Sequence, residues 1–425
     1  MKRTFLICIS MMFIFSCFSC TRQELPYISE EAPKTLDTDV VQVYSYDPTD
    51  DGLENVRFPE VYITNAGLYY SDGELYFRSS DMYYKYNKET GDFLPFCKDP
   101  VCDHRTLECP FYGNTFSCFY IHDENIIYLQ DTPDLEHISG SNTLNIYDVE
   151  KDKRRILHYY DSDSNMMSSN MTFYKDELLF TDIVKDEKTE EYIYSLCAVN
   201  LKTGKKRILL SEAWMIAALM SDDGGVYYTD LKEQKNIYAK NNDLKDTEEL
   251  PFYNTRFFFV GDKVIYVDNN GYLTSSDRYG NNKKSLGISD IDSFFVTDKY
   301  IYYRHNGTTN IGKTIEQTGR GEKIEQTMEL NVNSIYRCSH DGSNIEEVIK
   351  FYDGEPLEAG ESVYYSQSMF ILSGYYYTKY DRLIMGEDGY LVSDTGDKKF
   401  NNYLRINIET GEKYIIKVPN IYVNH

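Results

Sequence analysis

The chain has 425 residues, of which 68 are acidic and 44 basic, giving a formal charge of −24. A surface this acidic repels phosphate backbones and anionic headgroups, so no nucleic acid is expected as a partner. Its 41 Tyr and 22 Phe against one Trp suit the half-buried positions of pleated strands, and few stretches carry a helical period.

Residues Met1 to Cys20 have the three parts of a secretory signal: Lys2 and Arg3, an apolar run from Phe5 to Phe15, then small residues and cysteine. The run is shorter than the roughly 20 apolar residues a spanning helix needs. Its end resembles a bacterial lipoprotein signal, in which a cysteine after a small residue is acylated and becomes the mature N-terminus. Cys20, beside the polar Thr21-Arg22-Gln23, is the expected lipidation site, with Cys17 as the alternative. That resemblance implies an extracytoplasmic protein anchored to the bacterial cell membrane by its N-terminal lipid, palmitate among the acyl groups. Residues 1–19 are thus expected to be a signal, 20–39 a polar tether with Pro26 and Pro33, and 40–425 the folded domain. Val40 to Tyr46 alternates as a lone strand expected to pair with the last repeat and close a ring.

Seven hairpins follow in the sequence, at intervals of about fifty residues. The first places Ser71-Asp72-Gly73 between Gly67-Leu68-Tyr69-Tyr70 and Glu74-Leu75-Tyr76-Phe77, and Asp-Gly between apolar runs is a strong turn signal. The later turns are Asp123-Glu124, Lys175-Asp176, Asp222 to Gly225, Gly261-Asp262, Asp298-Lys299 and Ser373-Gly374, each leading into a Tyr-rich or aliphatic strand. A second turn, Asn-x-x-Thr-Gly, recurs at Asn87 to Gly91, Asn200 to Gly204 and Asn407 to Gly411. One four-stranded unit cannot bury its own faces and must stack on its neighbours, so the pattern predicts an all-β fold, a seven-bladed β-propeller, with six or eight blades as alternative divisions. Two polar, Gly-bearing insertions, roughly Asn306 to Met328 and Met385 to Phe400, interrupt the sixth and seventh repeats. Long propeller loops are expected to shape a binding face.

Over about residues 55 to 418 these repeats resemble TolB-type and YWTD-type propellers, and more closely a family of bacterial propeller lipoproteins. The resemblance implies the propeller fold and a cell-surface setting, and it transfers no catalytic set. Between the first two repeats stands Cys97-x4-Cys102-x-His104-x4-Cys109, with Cys118 further on. The run from Cys97 to His104 resembles a motif of the same lipoproteins. Three sulfurs and an imidazole could close a structural zinc site. An even cysteine count in an exported chain favours two disulfides instead, with free thiols the third possibility. Cys197 and Cys338, inside strand-like runs, read as buried small hydrophobes.

The remaining signals are weak. Asp161 to Asn165 begins like a calcium loop, but Met166 stands where the sharp turn needs Gly. His122, His158 and His305 lack a nucleophile in a catalytic context and read as surface or satisfied core histidines. Most tyrosines are expected in packing, with those near channel mouths and insertions left for recognition. The expected function is a non-catalytic binding module for an extracytoplasmic protein or glycan, needing no cofactor. The alternatives are a glycan-active hydrolase or lyase with carboxylates at the channel, and a scaffold or sensor subunit of a membrane complex.

Overall fold

The computed structural model describes residues 51–419 except 59–67, 72–73, 80–81, 87–92, 96, 98–118, 123–124, 132–141, 160–170, 186–188, 190–191, 212–215, 223, 255, 308, 318–322, 331–333, 352–356, 361, 366–368, 373, 380 and 395–399. The chain divides into two compact units, Met1–Gln42 and Val43–His425, and every described residue lies in the second. The signal, the tether and the strand expected over Val40 to Tyr46 fall outside the described residues. Among those described there are strands and turns and no helix.

Among the described residues, seven antiparallel sheets follow one another in chain order, each a four-stranded meander, the fifth with an added strand. Sheet one runs Leu68–Ser71, Glu74–Ser79, Met82–Tyr86 and Phe93–Pro95; sheet two runs Phe119–His122, Asn125–Asp131, Asn142–Asp148 and Lys153–Tyr159. Sheet three is Met171–Tyr174, Glu177–Lys185, Tyr192–Asn200 and Lys206–Leu210, and sheet four Ile216–Ser221, Val226–Asp230, Lys235–Ala239 and Thr247–Leu250. Sheet five holds Phe257–Val260, Lys263–Val267, Leu273–Asp277 and Lys284–Ser285, and sheet six Ile291–Val296, Tyr300–His305, Ser334–Ser339 and Glu346–Lys350. Sheet seven is Phe370–Leu372, Tyr375–Lys379, Phe400–Asn407 and Lys413–Pro419. The turns read from the sequence as inner hairpins join the first two strands of each.

Local chemistry explains the turns. In Asn200 to Gly204 the Asn200 Oδ1 accepts the backbone N–H of Lys202 and Thr203 at 3.1 and 2.8 Å, and the Gly204 N–H donates to the Asn200 carbonyl at 2.8 Å. Gly204 sits at φ +71°, a conformation that costs a residue without a Cβ little. Asn407 to Gly411 repeats this bonding. Strand composition follows position in the sheet. Val226–Asp230 is buried over its first four residues because both faces of a second strand are covered by neighbouring sheets. The outer Glu346–Lys350 is mostly exposed and correspondingly polar.

Each sheet packs on the next, and the seventh packs on the first. Phe258 of sheet five meets Phe295 of sheet six at 5.4 Å between ring centroids, and Phe295 meets Phe370 of sheet seven at 5.5 Å. Phe77 of sheet one meets Tyr403 of sheet seven at 5.1 Å. Tyr147, Tyr227, Tyr266, Tyr302, Tyr303, Tyr376 and Tyr403 are fully buried, which puts these tyrosines in packing. Cys197 and Cys338 are buried free thiols whose pKa burial raises to about 11 and about 12. This is the all-β propeller arrangement, in which the first strands line the axis.

Because every sheet is an up-and-down meander, its first and third turns lie at one end, and its second turn and the link to the next sheet lie at the other. These two ends are called the hairpin face and the link face below.

Candidate functional site

Two regions depart from the plain repeat: the axis beside sheet five and an annex on the link face. At the axis, Val56–Arg57 pairs antiparallel with Phe257–Val260, adding a fifth strand at the inner edge of sheet five. The segment before it is anchored at the hairpin face. Asp51 Oδ1 accepts the Lys299 N–H at 3.1 Å, and its Oδ2 accepts the Tyr302 hydroxyl at 2.9 Å. Reciprocally, the Asp298 carboxylate accepts the N–H groups of Glu54 and Asn55 at 3.0 and 2.9 Å. Beyond the strand, Phe58 lies 5.3 Å from Phe258 and 5.5 Å from Phe295. The axis side of sheets five and six is thus lined by the chain's own backbone and by aromatic rings.

The annex grows from both insertions. A hairpin of Thr309–Gln317 and Lys323–Leu330 stands between the second and third strands of sheet six. Asp381–Met385 and Leu391–Asp394 stand at the same place in sheet seven, and Ser362–Tyr365, from the link between the two sheets, pairs with Asp381–Met385 to make three strands. Second turns and links share a face, so all five strands rise from the link face. Leu383, Met385 and Leu391 form a small core with Met328 and Leu357 packed against it. The close approach needs Gly312, where a Cβ would stand 3.1 Å from Met385 Cε and 3.2 Å from Leu391 Cδ1. Lys313 Nζ donates to Glu325 Oε1 at 2.6 Å and the Tyr390 hydroxyl to Glu325 Oε2 at 3.0 Å, tying the two pieces together. Ile315, Ile324 and Val392 remain exposed on the annex.

Of the residues singled out in the sequence, Cys97 is buried. Cys102, His104, Cys109 and Cys118 lie outside the described residues, as do Cys17, Cys20 and the Asp161 to Asn165 run. Among the described residues no three His, Cys, Asp or Glu side chains gather as metal ligands. His305 is exposed, with Nδ1 2.9 Å from the Ser289 carbonyl. His158 is satisfied between sheets two and three: its Nε2 is 3.0 Å from Asp182 Oδ1, while Lys206 Nζ reaches Asp182 Oδ2 at 2.6 Å.

Burial alone would raise the Asp182 pKa, but hydrogen bonds and charge from His158 and Lys206 outweigh it and hold the carboxyl below its ordinary value. A depressed carboxyl stabilises the fold above its unfolded pKa and loses that contribution as pH falls through the folded value. Asp182→Asn is therefore expected to cost about 1–3 kcal/mol near neutral pH. The gap between parent and variant in denaturant unfolding should begin to shrink below about pH 4 and close as the pH falls through the depressed folded value. A gap that stays constant down to acid pH would show that the carboxylate's charge contributes nothing.

No protein-family model matches the chain, and no curated protein does. Solved structures do. A prolyl endopeptidase aligns over 89% of this chain and 51% of its own, at 11% identity and a TM-score of 0.51, so the chain spans about half the length of that enzyme. An oligogalacturonate lyase solved in complex with manganese aligns over 83% of this chain and 90% of its own, at 12% identity and a TM-score of 0.45. TolB from Acinetobacter baumannii aligns over 66% and 65%, at 10% identity and a TM-score of 0.31. The likeness is one of fold. The protein is a β-propeller, with repeats of the kind its sequence suggested.

Proposed function

We propose that this chain is a non-catalytic binding propeller of seven blades, held outside a bacterial membrane by acylation of Cys20, with Cys17 as the alternative site. Its annex on the link face engages an extracytoplasmic protein or glycan. The observation that carries this reading is the strand and ring that line the axis side of sheets five and six. A propeller enzyme with a carboxylate pair at its channel needs open space there, whereas sheets five and six present Val56–Arg57 and Phe58 to it. Asp51, the buried carboxylate at that end, is committed to Tyr302 and Lys299. The annex has the opposite character: it is a folded, outward extension with its own core and exposed aliphatic and polar side chains. Such a mixture of apolar and hydrogen-bonding groups suits recognition.

Affinity capture from detergent-solubilised membranes tests this, with the parent chain compared with a variant in which residues 309–330 are replaced by a short Gly-Ser link. The variant is expected to keep the ring's unfolding within about 1 kcal/mol of the parent, because the small core of Leu383, Met385 and Leu391 on which the hairpin packs is separate from that of the ring. It should lose at least about tenfold in partner recovery. Equal recovery would remove the annex from the reading, and turnover of a glycan by the purified protein would remove the non-catalytic role. Labelling with a fatty-acid analogue should mark the parent chain and fail on Cys20→Ala.

A further inference from the structure

A cavity of about 780 Å³ opens between sheets two and three on the hairpin face. Its walls are the third turns of the two sheets, with Asn125 and Asp176 from their first hairpins. Among the described residues five cationic side chains line it, namely Lys151, Lys153, Arg154, Arg155 and Lys202, against the two carboxylates of Asp148 and Asp176. In a chain of charge −24 such a local excess of cations does not follow from composition. At physiological salt the Debye length is about 8 Å, so a group inside the cavity feels these cations more than the distant acidic surface.

Both walls are fixed before anything binds. On the sheet-two side, Asp148 Oδ1 accepts the Lys151 N–H at 2.9 Å and Asp148 Oδ2 pairs with Lys151 Nζ at 2.5 Å. On the sheet-three side, Asn200 organises its turn as described above, and Lys202 Nζ lies 2.9 Å from Asp176 Oδ1. Arg155 spans the gap, its guanidinium donating to the carbonyls of Leu201 and Lys202. Lys153 and Arg154 are exposed on the outer strand of sheet two. The cavity volume falls within the range of small-ligand sites, roughly 300–1,000 Å³.

We propose that this cavity binds an acidic saccharide, the cations engaging its carboxylate or sulfate groups, and that Asp148 and Asp176 accept hydrogen bonds from its hydroxyls while the Asn125 amide donates or accepts one. The carboxylates bear on the class. Each is paired with a lysine and keeps free lone pairs beside the remaining cations, an arrangement that suits a polyhydroxylated molecule with spaced charges. This inference deepens the binding-module reading by naming a ligand class, and it places that ligand away from the annex.

The test is titration calorimetry of the full-length protein, purified from membranes in detergent. The probes are a hyaluronan tetrasaccharide, carrying carboxylates alone, a chondroitin sulfate tetrasaccharide, carrying both anions, neutral maltotetraose, and tetraglutamate. At least one acidic tetrasaccharide should bind, more weakly as salt rises. The double variant Lys153→Gln/Arg154→Gln should lose about tenfold in affinity or more, and Lys202→Gln, on the opposite wall, should weaken binding without altering the unfolding midpoint. Absence of binding by either acidic tetrasaccharide overturns the proposal. So do equal affinity for maltotetraose or tetraglutamate and unchanged affinity in the double variant. The chain lacking residues 309–330 keeps this cavity and should bind the acidic tetrasaccharide as the parent does. A failure here is thereby distinguished from a failure of the annex.

Discussion

Phe295→Ala is expected to destabilise the folded ring by about 3–5 kcal/mol, the usual cost of removing a large aromatic from a packed core. The residue is 2% exposed, and its ring is the hub of a junction. It meets Phe58 from the N-terminal segment at 5.5 Å, Phe258 from sheet five at 5.4 Å and Phe370 from sheet seven at 5.5 Å, all edge to face. Deleting it leaves a cavity bounded by several separate pieces of chain, none of which can collapse inward without disturbing the others, so relaxation recovers little. Phe295→Leu, which keeps most of the volume, should cost under about 1.5 kcal/mol. Guanidinium unfolding of the two variants beside the parent supplies the comparison. An alanine variant within about 1 kcal/mol of the parent would mean that the first strands do not converge on a common packed axis.

That junction was only partly legible in the sequence. The hairpin ending at Gly261-Asp262 and the one at Asp298-Lys299 mark Phe257–Val260 and Ile291–Val296 as first strands, because turn residues between apolar runs are a local code. Which rings touch is not local, since it depends on how neighbouring sheets twist against each other. The annex divides in the same way. Both insertions are visible as polar, Gly-bearing interruptions of a repeat. Ser362–Tyr365 escapes notice because its Val-Tyr-Tyr composition is that of any repeat strand, and its partner lies across another strand pair, at Asp381–Met385. The cation-lined cavity has a trace in the run Lys151-Asp152-Lys153-Arg154-Arg155, four basic residues in five. Its second wall comes from a turn about fifty residues on, which the repeat period of the fold brings alongside. Of the cysteine and histidine cluster, only Cys97 is placed.

The N-terminal segment was the least legible element, and it carries the second large effect. Asp47 to Gly52 reads as a turn, yet Asp51 serves as a long-range anchor, 5% exposed and bonded to residues 248 and 251 positions away. Asp51→Ala is expected to cost about 1–3 kcal/mol, because it removes the buried carboxylate that accepts both the Tyr302 hydroxyl and the Lys299 N–H. Asp51→Asn retains an acceptor and should cost less. The tyrosine supplies an independent readout. Burial raises the Tyr302 pKa most, and the negative charge of Asp51 raises it further. In the asparagine variant an ultraviolet-monitored titration should therefore find one tyrosine ionising at lower pH than in the parent while remaining above the ordinary value, since the burial is unchanged. If both variants unfold with the parent, the segment is a passenger at the axis, and its place beside sheets five and six ceases to argue against catalysis there. If alanine destabilises and asparagine lowers the tyrosine's pKa, the segment is a structural part of the propeller, held by a charge whose partners no local reading of the sequence could supply.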